Sequence, residues 1–252
     1  KQLVVDPREM RAPGKIEFTD ILENQYQKTV KDEVGNFPRE DLIRIYRDMC
    51  YIREFETMIQ LIKTTGEYQG VPYNHPGPAH LGIGQEAAYV GQAYHLSIND
   101  FSFGSHRSHG EILARGLRAV ETLPEEQLRS IMEDFDGGKI LRVLGNSQLD
   151  IRALGRDFLL YGMTCETFGR ENGFNRGLGG SMHAFFTPFG IYPNNAIVGG
   201  SGSIAPGAAL YKLSNHKDGI VVCNIGDAAT ACGPVWEGMV FSSMDQIRTL
   251  WG

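Results

Sequence analysis

The sequence predicts an α/β fold, mainly a parallel sheet flanked by helices on both faces. Three observations predict it. Ile220-Val221-Val222-Cys223-Asn224-Ile225 is an apolar, β-branched run that stops at Gly226-Asp227, the pattern of a buried parallel strand. Small residues follow (Ala228, Ala229, Thr230, Ala231), and a helical pattern resumes at Pro234. Upstream, apolar residues at helical spacing alternate with short strand candidates and glycine-rich turns.

Residues 1–35 are polar with few apolar anchors, which predicts an arm; residues 36–252 form the domain proper. Pro38 opens a long helix whose apolar positions run from Leu42 through Ile45, Met49, Ile52, Phe55 and Ile59 to Ile62, ending at Gly66. Gly70–Gly84 is a loop carrying His75 and His80, and Gln85-Glu86 starts a second helix. Phe101–Phe103 reads as a short strand. The segment Gly104-Ser105-His106-Arg107-Ser108-His109-Gly110 then leads into a helix from Glu111 to Leu117. That segment is either an anion pocket, in which Arg107 grips phosphate, or a solvated polar turn.

Pro124–Phe135 is an amphipathic helix broken by Gly137-Gly138. Ile151–Phe168 is another, with Leu154, Phe158, Tyr161 and Cys165 on one face. Gly173–Gly190 is too long and glycine-rich for an ordinary connection, and its aromatic residues argue against disorder. Gly200-Ser201-Gly202-Ser203-Ile204-Ala205 satisfies the dinucleotide fingerprint on paper. Two features weaken it: the strand ahead of it is barely Ala196–Val198, and Pro206 follows, which a helix tolerates in its first turn. The predicted helix therefore begins at Pro206 and runs to about His216.

A net charge of -6 makes a nucleic-acid role unexpected. No apolar run reaches the length of a membrane span. Four scattered cysteines read as reduced thiols, the usage of a cytoplasmic protein. Asp227 has two readings. It is a helix cap, or it holds a cation against a phosphate-bearing ligand at the strand's carboxyl end.

Four stretches, in order, carry a resemblance: His80-Leu81-Gly82-Ile83-Gly84-Gln85-Glu86-Ala87; His106-Arg107-Ser108-His109-Gly110 with Ala114-Arg115-Gly116-Leu117; Gly179-Gly180-Ser181-Met182-His183 with Ile197-Val198-Gly199; and Gly226-Asp227-Ala228-Ala229. Together they resemble the alpha-type chain of the thiamine diphosphate-dependent 2-oxo acid dehydrogenases, the decarboxylating first component of the pyruvate and branched-chain complexes. The resemblance runs from about Phe37 onward and implies the thiamine diphosphate-binding fold. It implies that Asp227 holds magnesium (or calcium) on the cofactor diphosphate, that Gly226, Ala228 and Ala229 line it, and that Arg107 binds the terminal phosphate. It puts His106 where the pyruvate branch has Tyr, and Ala196 and Val198 beside the aminopyrimidine ring. It implies catalytic roles for His80 and His109. The partners it implies are a beta-type subunit or domain and a lipoyl acyltransferase component, in a homodimer or heterotetramer.

The chain departs from the pattern at Ala228, where the family has Gly, at His106, and at Pro206. It also stops before the Asn that closes the family's metal motif, so the domain is expected to be incomplete at its carboxyl end and part of a longer protein. Two other functions stay open: a non-catalytic assembly piece, and a nicotinamide-nucleotide module at Gly200–Ala205.

Overall fold

The computed structural model describes residues 6–15, 17–145 and 150–247. Two four-residue helices, α1 (Pro7–Met10) and α2 (Val30–Glu33), lie in the amino-terminal segment; the described residues of 17–35 are almost all exposed. The core begins with α3 (Arg39–Thr65). Pro38 occupies its N-cap position, and Gly66 closes it with a left-handed φ of 73°. Its face of Ile52, Phe55, Ile59 and Ile62 is buried.

A two-residue hairpin, β1 (Glu67–Tyr68) with β2 (Val71–Pro72), leads to the predicted loop and α4 (Glu86–Tyr94). Glu86 fixes the entry to α4. Arg53 grips its carboxylate through two hydrogen bonds, 2.7 and 2.8 Å, and Gly84 N–H donates at 3.0 Å. This pairing holds the Glu86 carboxyl down at about 2.

β3 (Phe101–Phe103) precedes α5 (His109–Thr122), the helix at the centre of the molecule. Ile112, Leu113, Leu117, Ala119 and Val120 of α5 are all buried. They pack between α3 and α8 (Ile151–Thr167), joining Ile52, Phe55, Ile59, Phe158, Leu159 and Met163 in one cluster. Gly116 permits the approach, because a Cβ there would stand 2.5 Å from Leu159. α6 (Glu125–Asp134) matches its predicted span, and α7 (Lys139–Leu144) follows the Gly137-Gly138 break as an unpredicted short helix. The buried side of α8 is rotated from the predicted face. Ile151, Phe158, Leu159, Met163 and Glu166 are buried, whereas Leu154, Tyr161 and Cys165 are half-buried. The cause is the aromatic cluster under the following loop, where Phe174 and Phe186 stack at 4.4 Å and both pack on Phe158.

Glu166 organises the glycine-rich stretch. Its buried carboxylate accepts hydrogen bonds from the backbone N–H groups of Asn175 (2.7 Å), Gly177 (3.0 Å), Gly179 (2.7 Å) and Gly180 (3.0 Å). Four backbone donors converging on one carboxylate require close passage of the chain. A Cβ at Gly173 would stand 2.5 Å from Glu166 Cα, and one at Gly179 would stand 2.7 Å from the His183 carbonyl.

The sheet is smaller than predicted. β4 (Val221–Cys223) pairs in parallel with β3, and Ile191 adds a parallel bridge at Ser102. Among the described residues the parallel sheet has these two strands, so the broad sheet covered by helices on both faces is not what the structure shows. β4 is half-buried and shorter than the predicted run, and Ile220 is 60% exposed.

α9 (Gly200–Ser214) and α10 (Gly233–Ser243) complete the described fold. α9 corrects the expected start at Pro206: the helix begins six residues earlier and carries Pro206 inside it. Pro206 has no N–H for the Gly202 carbonyl. Gly238 of α10 packs directly on that carbonyl, where a Cβ would stand 2.1 Å away. This close helix contact accommodates the interruption. Residues 196–199, directly ahead of α9, form bends and turns rather than a strand, so the dinucleotide fingerprint lacks the strand it needs.

Replacing Glu166 with Ala leaves four backbone donors without their acceptor. The expected loss is at least about 3 kcal/mol of unfolding free energy, read from urea denaturation against the unchanged chain.

Candidate functional site

Three loops meet at the carboxyl ends of β3 and β4. They are Ser105–Arg107 after β3, Asn195–Ser201 at the start of α9, and Asn224–Ala229 after β4. The Gly104 carbonyl ties two of them, accepting from Asn195 N–H (3.3 Å) and Ser201 Oγ–H (2.6 Å). Between the loops lies a cavity of about 230 Å³. It gathers His106, Arg107, Val198, Gly226, Asp227, Ala228 and Ala229, seven of the residues singled out in the sequence. A second space of about 480 Å³ adjoins it across Arg107 and Asp227 and is lined by Gln85, Tyr89, Gln92 and Glu111.

Asp227 stands at the N-cap position of a short 3-10 helix, Ala228–Ala231, but its side chain makes no capping hydrogen bond. Its backbone is helical (φ -53°, ψ -48°), and the residue is exposed at the cavity. The carboxylate is therefore available to a ligand, which decides against the cap reading. Asp227 is the one carboxylate in the cavity lining, and no group of three or more His, Cys, Asp or Glu side chains suited to a metal occurs among the described residues. A cation here would take its other ligands from the bound anion and water. The small residues around Asp227 leave that room, since a Cβ at Gly226 would meet nothing within 4 Å.

Arg107 donates one hydrogen bond to the Leu81 carbonyl (3.0 Å), which anchors the guanidinium while the residue stays exposed at the cavity. His106 and His80 meet edge to face, ring centroids 4.9 Å apart. Burial, then the His80 and Arg107 charges, lower the His106 pKa and favour its neutral imidazole. His80 itself stands behind His106 and does not line the cavity.

Two further predicted site residues lie off the cavity. Ala196 sits beside the cavity without lining it. His109 is fully buried. α5 starts two residues earlier than predicted and turns this ring into the core. There Nδ1 meets Glu56 Oε1 at 3.1 Å and Nε2 meets Ser181 Oγ at 2.7 Å. Glu56 also accepts the Gly82 N–H at 3.2 Å. His109 thus links three of the four sequence motifs from within.

The sequence reading missed Glu111, Asn224 and Glu166. Asn224 forms a two-bond amide pair with Gln92 (2.7 and 3.1 Å) at the cavity wall. A polar residue inside the β-branched run was its signal. Burial pushes the Glu111 carboxyl up to about 8, while the Asn224 amide and the Ser105 N–H oppose that rise.

The fold and site therefore define an α/β chain with a cavity at the carboxyl end of a parallel strand pair, lined by one arginine and one aspartate. The family model described as dehydrogenase E1 component matches residues 146–251. The chain is 29% identical to the alpha subunit of acetoin:2,6-dichlorophenolindophenol oxidoreductase of Bacillus subtilis, over 84% of this chain and 49% of that protein. It is 26% identical to the pyruvate dehydrogenase E1 component subunit alpha of Rhizobium meliloti, over 86% and 49%. It is 27% identical to the subunit of that name in Rickettsia prowazekii, over 88% and 52%. The chain is thus similar to these alpha subunits and to the dehydrogenase E1 component, and it spans about half the length of the curated relatives it matches. No helix among the described residues is long and apolar enough to cross a membrane.

Glu111 yields a pH prediction. The unfolded chain ionises this carboxyl near pH 4.5, whereas the folded chain keeps it protonated to about pH 8. The folded state binds the extra proton, so stability falls as pH rises from about 4.5 to about 8 and then levels. Glu111→Gln removes this component. Urea denaturation at pH 5 and pH 8 is expected to show a smaller pH-dependent loss in the variant.

Proposed function

We propose that this chain is the cofactor-binding alpha part of a thiamine diphosphate-dependent 2-oxo acid dehydrogenase first component. The observation that carries this reading is the uncapped Asp227 carboxylate, facing a cavity shared with Arg107 and walled by small residues. The chain's similarity to dehydrogenase alpha subunits supports it independently.

In this reading Asp227 holds magnesium (or calcium) against the diphosphate, which offsets the repulsion between two anions. Arg107 binds the terminal phosphate, its direction set by the Leu81 carbonyl. The backbone of Gly226, Ala228 and Ala229 approaches the same group, and Ala228 keeps the side chain there to one methyl. Val198, in the cavity lining, would meet the aminopyrimidine end, with Ala196 beside it. Thiamine diphosphate, when bound, would supply the electron sink that decarboxylation of a 2-oxo acid requires.

The neutral His106, braced by His80, accepts or donates a proton at the cavity mouth. His109 acts as a support: its bonds to Glu56 and Ser181 fix the loops that carry Arg107 and His80. The acyl group passes to a lipoyl carrier on an acyltransferase component. A beta-type subunit or domain completes the site, in a dimer of such chains or a heterotetramer. The two kinds of relative make pyruvate and acetoin the first substrates to try with that partner present.

The test is calorimetric titration with thiamine diphosphate, with and without magnesium. Magnesium-dependent binding is expected, and Asp227→Ala is expected to weaken it at least about 100-fold, roughly 2.8 kcal/mol. Undiminished affinity in Asp227→Ala would overturn the metal assignment. Absence of binding to the unchanged chain would favour a non-catalytic assembly piece.

A further inference from the structure

Behind the cavity lies a smaller chamber of about 10 Å³ between β3, α5 and the Asn194 segment. Its walls include Ser102, Gly104, Glu111, Arg115 and Asn194. Five buried polar atoms on these walls have no protein partner: Ser102 Oγ, Glu111 Oε2, Arg115 Nε and Nη1, and Asn194 Oδ1. Arg115 is 1% exposed and Asn194 3%. Glu111 and Arg115 stand four residues apart on α5, the spacing that puts them on one face of the helix. They make no direct ion pair. Arg115 instead spends Nη2 on the carbonyls of Ser97 and Asp100.

The hydrogen-bonding capacities of these atoms are complementary to one water. Arg115 offers N–H donors, and a protonated Glu111 offers an O–H. Asn194 Oδ1 and Ser102 Oγ accept. One water donates two hydrogen bonds, to Asn194 Oδ1 and Ser102 Oγ, and accepts two, from Glu111 and the Arg115 guanidinium, and a free volume of roughly 10–15 Å³ is what one water requires. The chamber has no room for a larger guest, and Gly104 sets that limit: a Cβ there would stand 2.4 Å from Glu111 Oε2.

Glu111 lines the space adjoining the anion cavity side by side with Ser105 and Asn224. Those two residues belong to the loops that form the cavity itself. We propose that Glu111 is a positioning residue for the anion cavity, holding the Ser105 and Asn224 loops while one bound water ties its carboxyl to Arg115. The positioning role rests on the diphosphate reading of the cavity; the water bridge does not.

The test uses this chain, magnesium with inorganic diphosphate as probe, and two variants. Glu111→Gln keeps the hydrogen bonds without an ionisable group, and Glu111→Leu removes them at similar size. Calorimetry is expected to give near-normal diphosphate affinity for Glu111→Gln and a loss of about 10-fold for Glu111→Leu, the scale typical of supporting contacts behind a metal site. Crystals of the unchanged chain and of Glu111→Gln are expected to show one ordered water among Ser102, Arg115 and Asn194. Equal affinity in Glu111→Leu and the unchanged chain overturns the positioning role. A chamber without solvent density in the unchanged chain overturns the bridge. Failure of the unchanged chain to bind diphosphate overturns the cavity reading and the positioning role with it, and solvent density then decides the bridge alone.

Discussion

The glycine-rich loops are held in place by buried glutamate carboxylates. The clearest case is Glu166, which gathers four backbone N–H groups of residues 175–180. Glu56 does the same on a smaller scale, taking the Gly82 N–H and the His109 ring, and Glu86 takes the Gly84 N–H while Arg53 neutralises it. A carboxylate moved out of water is costly unless hydrogen bonds replace its hydration. Peptide N–H groups of tightly turning loops supply that replacement, and the loops gain one defined shape in return.

That constraint shapes the cavity. Loops rich in glycine would otherwise sample many conformations, and ordering them on ligand binding would cost affinity. Here the cost is met at folding, because the loops carrying His80, Arg107 and Ser181 converge on Glu56 and His109 in the core. A histidine on a motif can thus serve the site without touching a ligand. Its engaged ring nitrogens and full burial separate His109 from His106, three residues earlier in the same motif.

α9 and α10 show how context overrides local rules. Pro206 breaks the hydrogen-bond ladder of α9, yet the helix continues because Gly238 lets α10 pack against the Gly202 carbonyl. The fingerprint Gly200–Ala205 spends Gly202 on this helix contact, where a Cβ would stand 3.0 Å from Val235 Cα, and Gly200 on the turn, where a Cβ would stand 2.7 Å from the Asn195 amide.

The sequence by itself determined the long helix from Pro38 to Gly66, the strand at Phe101–Phe103, the break at Gly137-Gly138, and the gathering of Arg107 with Gly226–Ala229. Those features depend on local periodicity, turn chemistry and the order of motifs, all of which are written along the chain. Only the tertiary structure decided that Asp227 is uncapped, that His109 turns inward, that Ala196 stays off the cavity, and that β4 is a short, half-buried strand. Glu56, Glu111 and Glu166 were invisible for the same reason. A glutamate in a helical pattern reads as a solvated residue until distant loops are seen to bring their N–H groups to it, and that depends on packing between segments far apart in sequence.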